Sequence, residues 1–325
     1  MDGTCEICGN TANNRFYTAK EMNFGWKQSF LYSQCRECDC LQIDEIPNDL
    51  AKYYPADYSP FTIRKNESLK QRLKELLSAR RLRNAYCGFD AIGSLLQKIL
   101  GPPRPTGWFD PFLSLANVNS RVLDVGCAAG NLLNTLHKMG FLDLTGIDPY
   151  VQKAVNHNGV RILKQDLHTL DEQFDFVMLH HSFEHMANPH SIFAQLDNIM
   201  FPGASLLIRT PVVPSYAWEK YGTDWVQLDA PRHLFIHSIR SIRSLAGEVG
   251  LCLVDVEFDS TDFQFWGSEQ YKIGLSLLDR NSHLINPEHS IFSDRQIDAF
   301  KEKAKELNGR GAGDQACFFL KKASR

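Results

Sequence analysis

Apolar and polar positions follow two rhythms along this chain. Arg121–Val125, Leu144–Asp148, Val160–Leu163, Phe174–His180, Ala204–Arg209, Leu251–Phe258 and Ala316–Lys321 are short apolar runs, mostly bounded by Gly, Asp or Pro, and predict buried strands. Between them, Asn131–Met139, Tyr150–His157, Pro189–Met200 and Ser238–Val249 read as helices. Strands separated by helices of this length predict a mostly parallel, doubly wound α/β sheet. A sheet of that kind binds ligands at the C-terminal strand ends, where the strand order reverses. An insertion at about 260–310, carrying Phe263, Phe265, Trp266 and Tyr271, delays the last strand and reads as a cover for the site or a subunit contact.

Upstream the rhythm is helical only. From about 66 to 86, Leu69, Leu73 and Leu76 fall at i, i+4 and i+7, with Leu77 beside them. A second amphipathic segment carries Phe89, Ile92, Leu95, Leu96 and Ile99, and Gly101-Pro102-Pro103 stops it, with Pro105 and Gly107 extending the break. Lys70, Arg72, Lys74, Arg80, Arg81 and Arg83 make a basic face, which suits either water or phosphates on a substrate or a membrane surface. Residues 44–60, with Pro47, Tyr53, Tyr54, Pro55, Tyr58 and Pro60, read as an extended linker. The expected organisation is a small module and linker at 1–60, a helical connector at 61–115 and the α/β domain at 116–325.

Composition narrows the class. A 325-residue chain with 43% hydrophobic and 22% charged residues is globular rather than disordered or fibrous. Its net charge of −3 argues against a protein that is basic all over. No apolar run approaches the ~18–20 residues that cross a bilayer. The opening Met1–Cys5 lacks a basic segment followed by an apolar one, so the expected location is the cytoplasm.

Five of the nine cysteines, Cys5, Cys8, Cys35, Cys38 and Cys40, lie in the first forty residues. Two Cys-x-x-Cys pairs, Cys5/Cys8 and Cys35/Cys38, predict a closed four-thiolate zinc site of structural type, because zinc takes four soft ligands in a tetrahedron and each tight turn supplies two. Gly9 and Asp39 follow the two pairs, where such turns favour positive φ. Residues 9–34 between the pairs leave room for a hairpin with strands at Asn14–Thr18 and Gln28–Ser33. A redox pair or unrelated thiols remain open, as does Cys40 in place of Cys38.

The first α/β strand leads into Asp124-Val125-Gly126-Cys127-Ala128-Ala129-Gly130. Gly126 and Gly130 permit a tight turn and close approach of a ligand. Asp124 can accept from loop amides or a ligand amine. Asp148, at the end of the next strand, suits two ribose hydroxyls. Asp166-Leu167 follows the third strand, placed to meet an adenine amino group, although a strand-end Asp also serves as a helix cap.

The segment RVLDVGCAAGNLLNTLHKMGFLDLTGIDPY (Arg121–Tyr150) resembles the opening motif of class I S-adenosylmethionine-dependent methyltransferases, and DQACFFLKK resembles that family's closing strand. The resemblance implies a Rossmann-like, seven-stranded domain. It implies that Asp124, Gly126, Cys127 and Gly130 cradle the amino-acid part of the cofactor, that Asp148 holds the ribose, and that Asp166 and Leu167 meet the adenine, with His180 at the fourth strand end in the same group. LHHSFEHMANP (Leu179–Pro189) resembles the corresponding segment of methyltransferases of small molecules and lipids. LDAPRHLFIHS (Leu228–Ser238) resembles a stretch of bacterial methyltransferases of polysaccharide and sugar pathways. The implied acceptor is a nucleotide-linked or lipid-linked sugar, methylated at oxygen or carbon.

Methyl transfer to oxygen or carbon benefits from a base. His181, His185 and His233 are the candidates, with Glu184 to orient one of them. The loop at 211–233, with Tyr216, Trp218, Tyr221, Trp225 and Arg232, offers aromatic faces for a sugar and a guanidinium for a phosphate or carboxylate, or else a lid that only packs. Two other readings stand beside this one. An RNA methyltransferase would use the zinc module and the basic helix, although the net charge makes stable nucleic-acid binding unexpected. A cofactor-binding scaffold would recruit a partner without turnover. The sequence leaves the oligomeric state open.

Overall fold

A computed structural model describes residues 3–55, 69–88, 90–103, 108–157 and 159–324. Tyr58, Pro60, Phe89, Pro105 and Gly107 of the expected linkers, and the side chains of Leu69, Lys70 and Arg72, lie outside the described residues. The first elements are β1 (Arg15–Lys20), β2 (Ser29–Gln34) and β3 (Leu41–Ile43), then α1 (Leu69–Leu82), α2 (Ala91–Leu100) and α3 (Phe109–Leu115). The α/β succession follows: β4 (Arg121–Val125), α4 (Asn131–Met139), β5 (Asp143–Ile147), β6 (Val155–His157), β7 (Val160–Leu163), β8 (Phe174–His180), α5 (Pro189–Asn198) and β9 (Met200–Pro211). The remainder is α6 (Tyr216–Tyr221), β10 (Phe235–Ile236), α7 (Ile239–Glu248), β11 (Cys252–Phe258), α8 (Phe263–Lys272), α9 (Asp294–Gly309) and β12 (Gln315–Lys321).

The strands form a four-stranded sheet in the order β1-β2-β3-β10 and an eight-stranded sheet in the order β11-β12-β9-β8-β4-β5-β7-β6. The chain folds as two compact units that interleave along the sequence. One comprises 1–54, 181–193 and 209–318, and the other 55–180, 194–208 and 319–325.

In the first unit, β1 and β2 form the expected hairpin in register from Arg15↔Gln34 to Lys20↔Ser29, with both strands starting one residue later than the sequence pattern suggests. β3 adds antiparallel to β2, and β10 adds antiparallel to β3 through Phe235↔Gln42 and Ile236↔Leu41. The cysteine segment therefore shares its sheet with a strand from the far half of the sequence. Within the 260–310 insertion, α8 buries Phe265, Trp266 and Tyr271, so those aromatics are core. Phe265 stacks on Phe300 of α9, with ring centroids 5.3 Å apart.

In the second unit, β4 runs parallel to both β5 and β8, and β5 runs parallel to β7. β4 is the first strand of this succession and has later strands on either side, so the strand order reverses there, as the pattern predicts. Val122, Leu123, Leu144, Phe176, Val177 and Met178 are fully buried and make the core of these strands.

One expectation needs correction here. Tyr150–His157 is not a helix: Val155–His157 is β6, paired antiparallel to β7 from Val155↔Ile162 to His157↔Val160. The reason is local. Asn158-Gly159 is a strong two-residue hairpin signal, and Gly159 takes φ +80°. The additional strand pairs antiparallel at the edge of a sheet whose neighbouring strands β7, β5, β4 and β8 run parallel, in keeping with the mostly parallel sheet that the pattern predicts.

α1 and α2 pack as a hairpin. A Cβ on Gly93 would lie 2.2 Å from the Arg80 carbonyl oxygen, so glycine lets the two backbones approach. Leu73, Leu76, Ile92, Leu95 and Ile99, which carry the amphipathic pattern, are exposed. Arg80 pairs with Asp90 at 3.4 Å, and Arg81 donates to the Gly101 carbonyl at 2.8 Å. Those two cations of the basic face serve the hairpin itself.

Candidate functional site

The glycine corner lies within the second unit. After β4 the chain turns through Gly126 (φ +79°), Ala128 (φ +46°) and Gly130 (φ +73°), the residue that starts α4. Ala128, standing where a glycine would cost nothing, is held in the left-handed region. What holds it is Asp148. The Ala128 amide donates to Asp148 Oδ2 at 3.0 Å, and the Tyr150 amide donates to Oδ1 at 2.8 Å. Gly126 and Cys127 amides both donate to the Ile147 carbonyl, at 2.8 and 3.2 Å. The sequence reading gave Asp124 the loop amides, whereas the bond to Ala128 is made by Asp148.

Asp124 is 3% exposed. Burial, and then the nearby Asp148 charge, push its carboxyl up to about 7. Burial also raises Asp148, against the two amides that lower it. Two carboxyls crowded at a glycine corner favour a cation, and an α-ammonium group fits that requirement. Cys127 packs over Gly146 of β5, where an added Cβ would lie 2.5 Å from its Sγ.

Asp166 caps a short 3-10 turn at Leu167–Thr169 by accepting from the His168 amide at 2.9 Å, and Leu167 is buried. Capping leaves the Asp166 side chain 59% exposed. His180 meets Trp108 edge to face, with centroids 4.4 Å apart. Sequence reasoning missed Trp108, because nothing at its position marks a contact with a strand end so far along the chain.

The histidines gather within the first unit. His181 takes φ +50°, and its amide donates to the Arg209 carbonyl at 2.8 Å. Its Nδ1 lies 3.3 Å from Glu184 Oε1, and its Nε2 lies 3.1 Å from Arg209 Nη1. A guanidinium only donates, so His181 Nε2 accepts and is occupied. Glu184 is fully buried and receives the Thr210 hydroxyl on Oε2 at 3.0 Å. Burial works to raise its carboxyl, but the His181 bond and the neighbouring imidazoles outweigh it and hold it at about 2.

His185 Nδ1 lies 2.9 Å from the Arg232 carbonyl and 3.1 Å from the Tyr54 hydroxyl. His233 Nδ1 lies 2.8 Å from the Gln227 carbonyl. Burial, and then the neighbouring His185, push His233 down to about 4, so it is neutral at neutral pH. The two rings meet at 4.7 Å. Tyr54, Arg209, Thr210 and Gln227 have no local sequence signal; only the fold brings them here.

The aromatic loop departs from expectation. Trp218, Tyr221 and Trp225 are buried, and Trp225 donates to Asp314 at 2.9 Å. Arg232 is fully buried and paired with Asp229 at 2.6 Å and Glu21 at 3.0 Å. These groups pack the unit and do not offer sugar faces or a free guanidinium for phosphate.

Within the same unit, Cys5, Cys8, Cys35 and Cys38 bring their sulfurs within 4.8 Å of one another. Cys5–Cys38 and Cys8–Cys35 are each 3.5 Å apart. Four thiolates on zinc would stand about 3.8 Å apart, from a Zn–S bond of about 2.3 Å. The set therefore fits a tetrahedral ion and is far too wide for disulfides. Cys40 is buried and outside the cluster. Gly9 and Asp39 have φ +72° and +61°, as the knuckle reading requires.

The glycine corner lies at the C-terminal end of the strand where a mixed α/β sheet reverses its order, which is where sheets of this kind bind ligands. Residues 82–256 match the model of the methyltransferase domain family, and the chain belongs to that family. A ubiquinone biosynthesis O-methyltransferase of Azorhizobium caulinodans is 28% identical over 125 residues, covering 34% of this chain and 49% of that protein. One from Maricaulis maris is 28% identical over 166 residues, covering 45% and 65%. The chain thus spans about half to two thirds of the length of these curated relatives. Among solved structures, a SAM-dependent methyltransferase of Archaeoglobus fulgidus is 19% identical with a TM-score of 0.41, over 70% of this chain and 94% of that one. No helix among the described residues is long and apolar enough to cross a membrane.

Proposed function

We propose that this protein transfers the methyl group of S-adenosylmethionine to a small hydroxyl-bearing acceptor. The observation that carries the reading is the bond from the Ala128 amide to Asp148, which fixes a glycine corner beside two buried carboxyls. Asp124 would receive the cofactor ammonium, the Gly126–Gly130 turn would approach its carboxylate end, and Asp148 would take the ribose. Asp166 and Leu167 would flank the adenine, with His180 nearby.

In the reaction the acceptor oxygen forms a bond to the sulfonium methyl carbon as the S–C bond breaks. The cofactor leaves as a neutral thioether, and the acceptor proton must be taken up. The Glu184–His185–His233 cluster is suited to that proton, since His181 is occupied by Arg209 and Glu184. Oxygen is favoured over carbon by relatives named O-methyltransferases. A nucleotide-linked or lipid-linked sugar remains the acceptor suggested by Leu228–Ser238, now without help from the buried aromatics. We assign the four cysteines to a structural zinc ion, on the fit of their spacing.

The test is incubation of the full chain with methyl-labelled cofactor and separate pools of nucleotide sugars, lipid-linked sugars and phenolic small molecules. Label in one pool, lost in Asp148→Ala, is expected. Absence of cofactor binding by calorimetry would defeat the reading.

A further inference from the structure

We propose that Glu184, His185 and His233 form a binding site for a divalent transition-metal ion, separate from the cysteine cluster. One ligand atom from each of the three lies within 4.8 Å of the others. The argument comes from where their protons must be. His185 Nδ1 faces the Arg232 carbonyl at 2.9 Å and His233 Nδ1 faces the Gln227 carbonyl at 2.8 Å. A carbonyl only accepts, so each Nδ1 carries the proton and each Nε2 of the neutral ring carries a lone pair. The Tyr54 hydroxyl at 3.1 Å completes the surroundings of His185 Nδ1.

Glu184 is organised the same way. Thr210 occupies Oε2 at 3.0 Å, which turns Oε1 towards the rings. Oε1 is buried and is approached by the His181 Nδ1–H, which leaves its second lone pair for an ion. It lies 4.0 Å from His233 Nε2 and 3.3 Å from His181 Nδ1. Asp229 Oδ2, also 4.0 Å from His233 Nε2, adds negative charge from the other side. Two imidazole lone pairs and a buried carboxylate oxygen thus converge as acceptors. Histidines whose second nitrogen donates to a backbone carbonyl are the usual arrangement around a bound metal. A tetrahedral zinc with N and O ligands at about 2.0–2.2 Å places those ligands about 3.4 Å apart, so small ring shifts would close the site. Two histidines and one carboxylate leave the fourth position for an oxygen ligand. On the function proposed above, that ligand is the acceptor hydroxyl: with the ion bound, the two imidazole lone pairs are no longer free to take its proton, and the ion instead lowers the hydroxyl pKa so that the proton leaves to solvent. Ion binding itself does not depend on that function.

Cobalt substitution separates this site from the cysteines, because thiolate ligation produces intense sulfur-to-metal charge-transfer bands and nitrogen and oxygen ligands do not. The full chain, stripped by chelation and titrated with Co2+, is expected to take up a second equivalent that adds only weak ligand-field absorption. Glu184→Gln, which preserves shape, should weaken that equivalent at least about tenfold while the charge-transfer bands keep their amplitude. His185→Gln, at a half-buried position, supplies the same comparison if Glu184→Gln does not fold. Uptake confined to the thiolate signature, or a thiolate-silent equivalent unchanged in these variants, overturns the proposal. Cofactor binding measured on the same samples reports on the methyltransferase reading independently.

Discussion

The backbone amide of Ala128 donates to Asp148 Oδ2 at 3.0 Å, so the carboxylate proposed to hold the ribose also holds the loop that would receive the rest of the cofactor. Asp148→Ala removes both roles. Charge-assisted hydrogen bonds contribute about 1.5–3 kcal/mol each, so cofactor affinity should fall by about 10- to 100-fold or more. Asp148→Asn retains one acceptor oxygen and should fall less. Calorimetric titration with S-adenosylmethionine distinguishes the three proteins, and equal affinities would remove Asp148 from the site.

Asp124, proposed above to receive the cofactor ammonium, should make cofactor binding pH-dependent. Burial, and then Asp148, raise it from 3.8 to about 7. The folded chain therefore keeps a proton that the unfolded chain releases above its lower pKa. Between about pH 4 and 7 this group's contribution to stability falls as pH rises. A bound ammonium group favours the ionised carboxylate, so cofactor affinity should rise with pH towards about 7, with proton release on binding. Titrations in two buffers of different ionisation enthalpy measure that release. In Asp124→Asn both the stability slope and the release should vanish.

Gly146→Ala should be costly although strand backbone accepts alanine. Its Cβ would lie 2.5 Å from Cys127 Sγ and 2.7 Å from Leu133 Cδ1. Overpacking of this kind costs about 1–3 kcal/mol. The displaced Cys127 sits in the glycine corner, so cofactor affinity should drop as well. Gly247→Ala is the control. It lies in α7 with nothing within 4 Å of its added Cβ, and should stabilise by about 0.5–1 kcal/mol. Thermal unfolding of both variants checks the contrast.

The glycine corner was legible because it is local: Gly126, Gly130 and the strand-end Asp148 can be read within thirty residues of sequence. The same holds for the two Cys-x-x-Cys knuckles, whose following residues Gly9 and Asp39 take the expected positive φ. Strands β4, β5, β7, β8, β9, β11 and β12 were legible from apolar runs, and β6 and β10 were not. What escaped depends on distant partners or on a competing local signal. Asn158-Gly159 outweighed a weak helical pattern at Tyr150–His157. Arg232 looked like a substrate ligand until Glu21, from the opposite end of the sequence, neutralised it in the core. The 211–233 aromatics read equally as sugar platforms or as packing, and only burial decides that.

The cysteines yield a further prediction. On the zinc assignment proposed above, Cys35→Ser should lower the metal content below that of the wild type and lower the melting temperature, because metal binding contributes to folding free energy. Cys40→Ser changes a buried thiol outside the cluster, so it should keep the full metal content whatever it does to stability. Elemental analysis of the purified proteins separates the two.

The pairing of β3 with β10 carries a consequence for biogenesis. Ser238, just beyond β10, donates its hydroxyl to the Cys38 carbonyl, and Arg240 pairs with Asp39. On the ribosome the thiol-bearing knuckles therefore emerge long before the strand that closes their sheet is translated. During that interval they are accessible to chaperones, to oxidants and to the cell's metal pool. Loading of the zinc ion proposed for these thiols would be an event separate from completion of the sheet, and a nascent chain arrested before Phe235 would report on the first without the second.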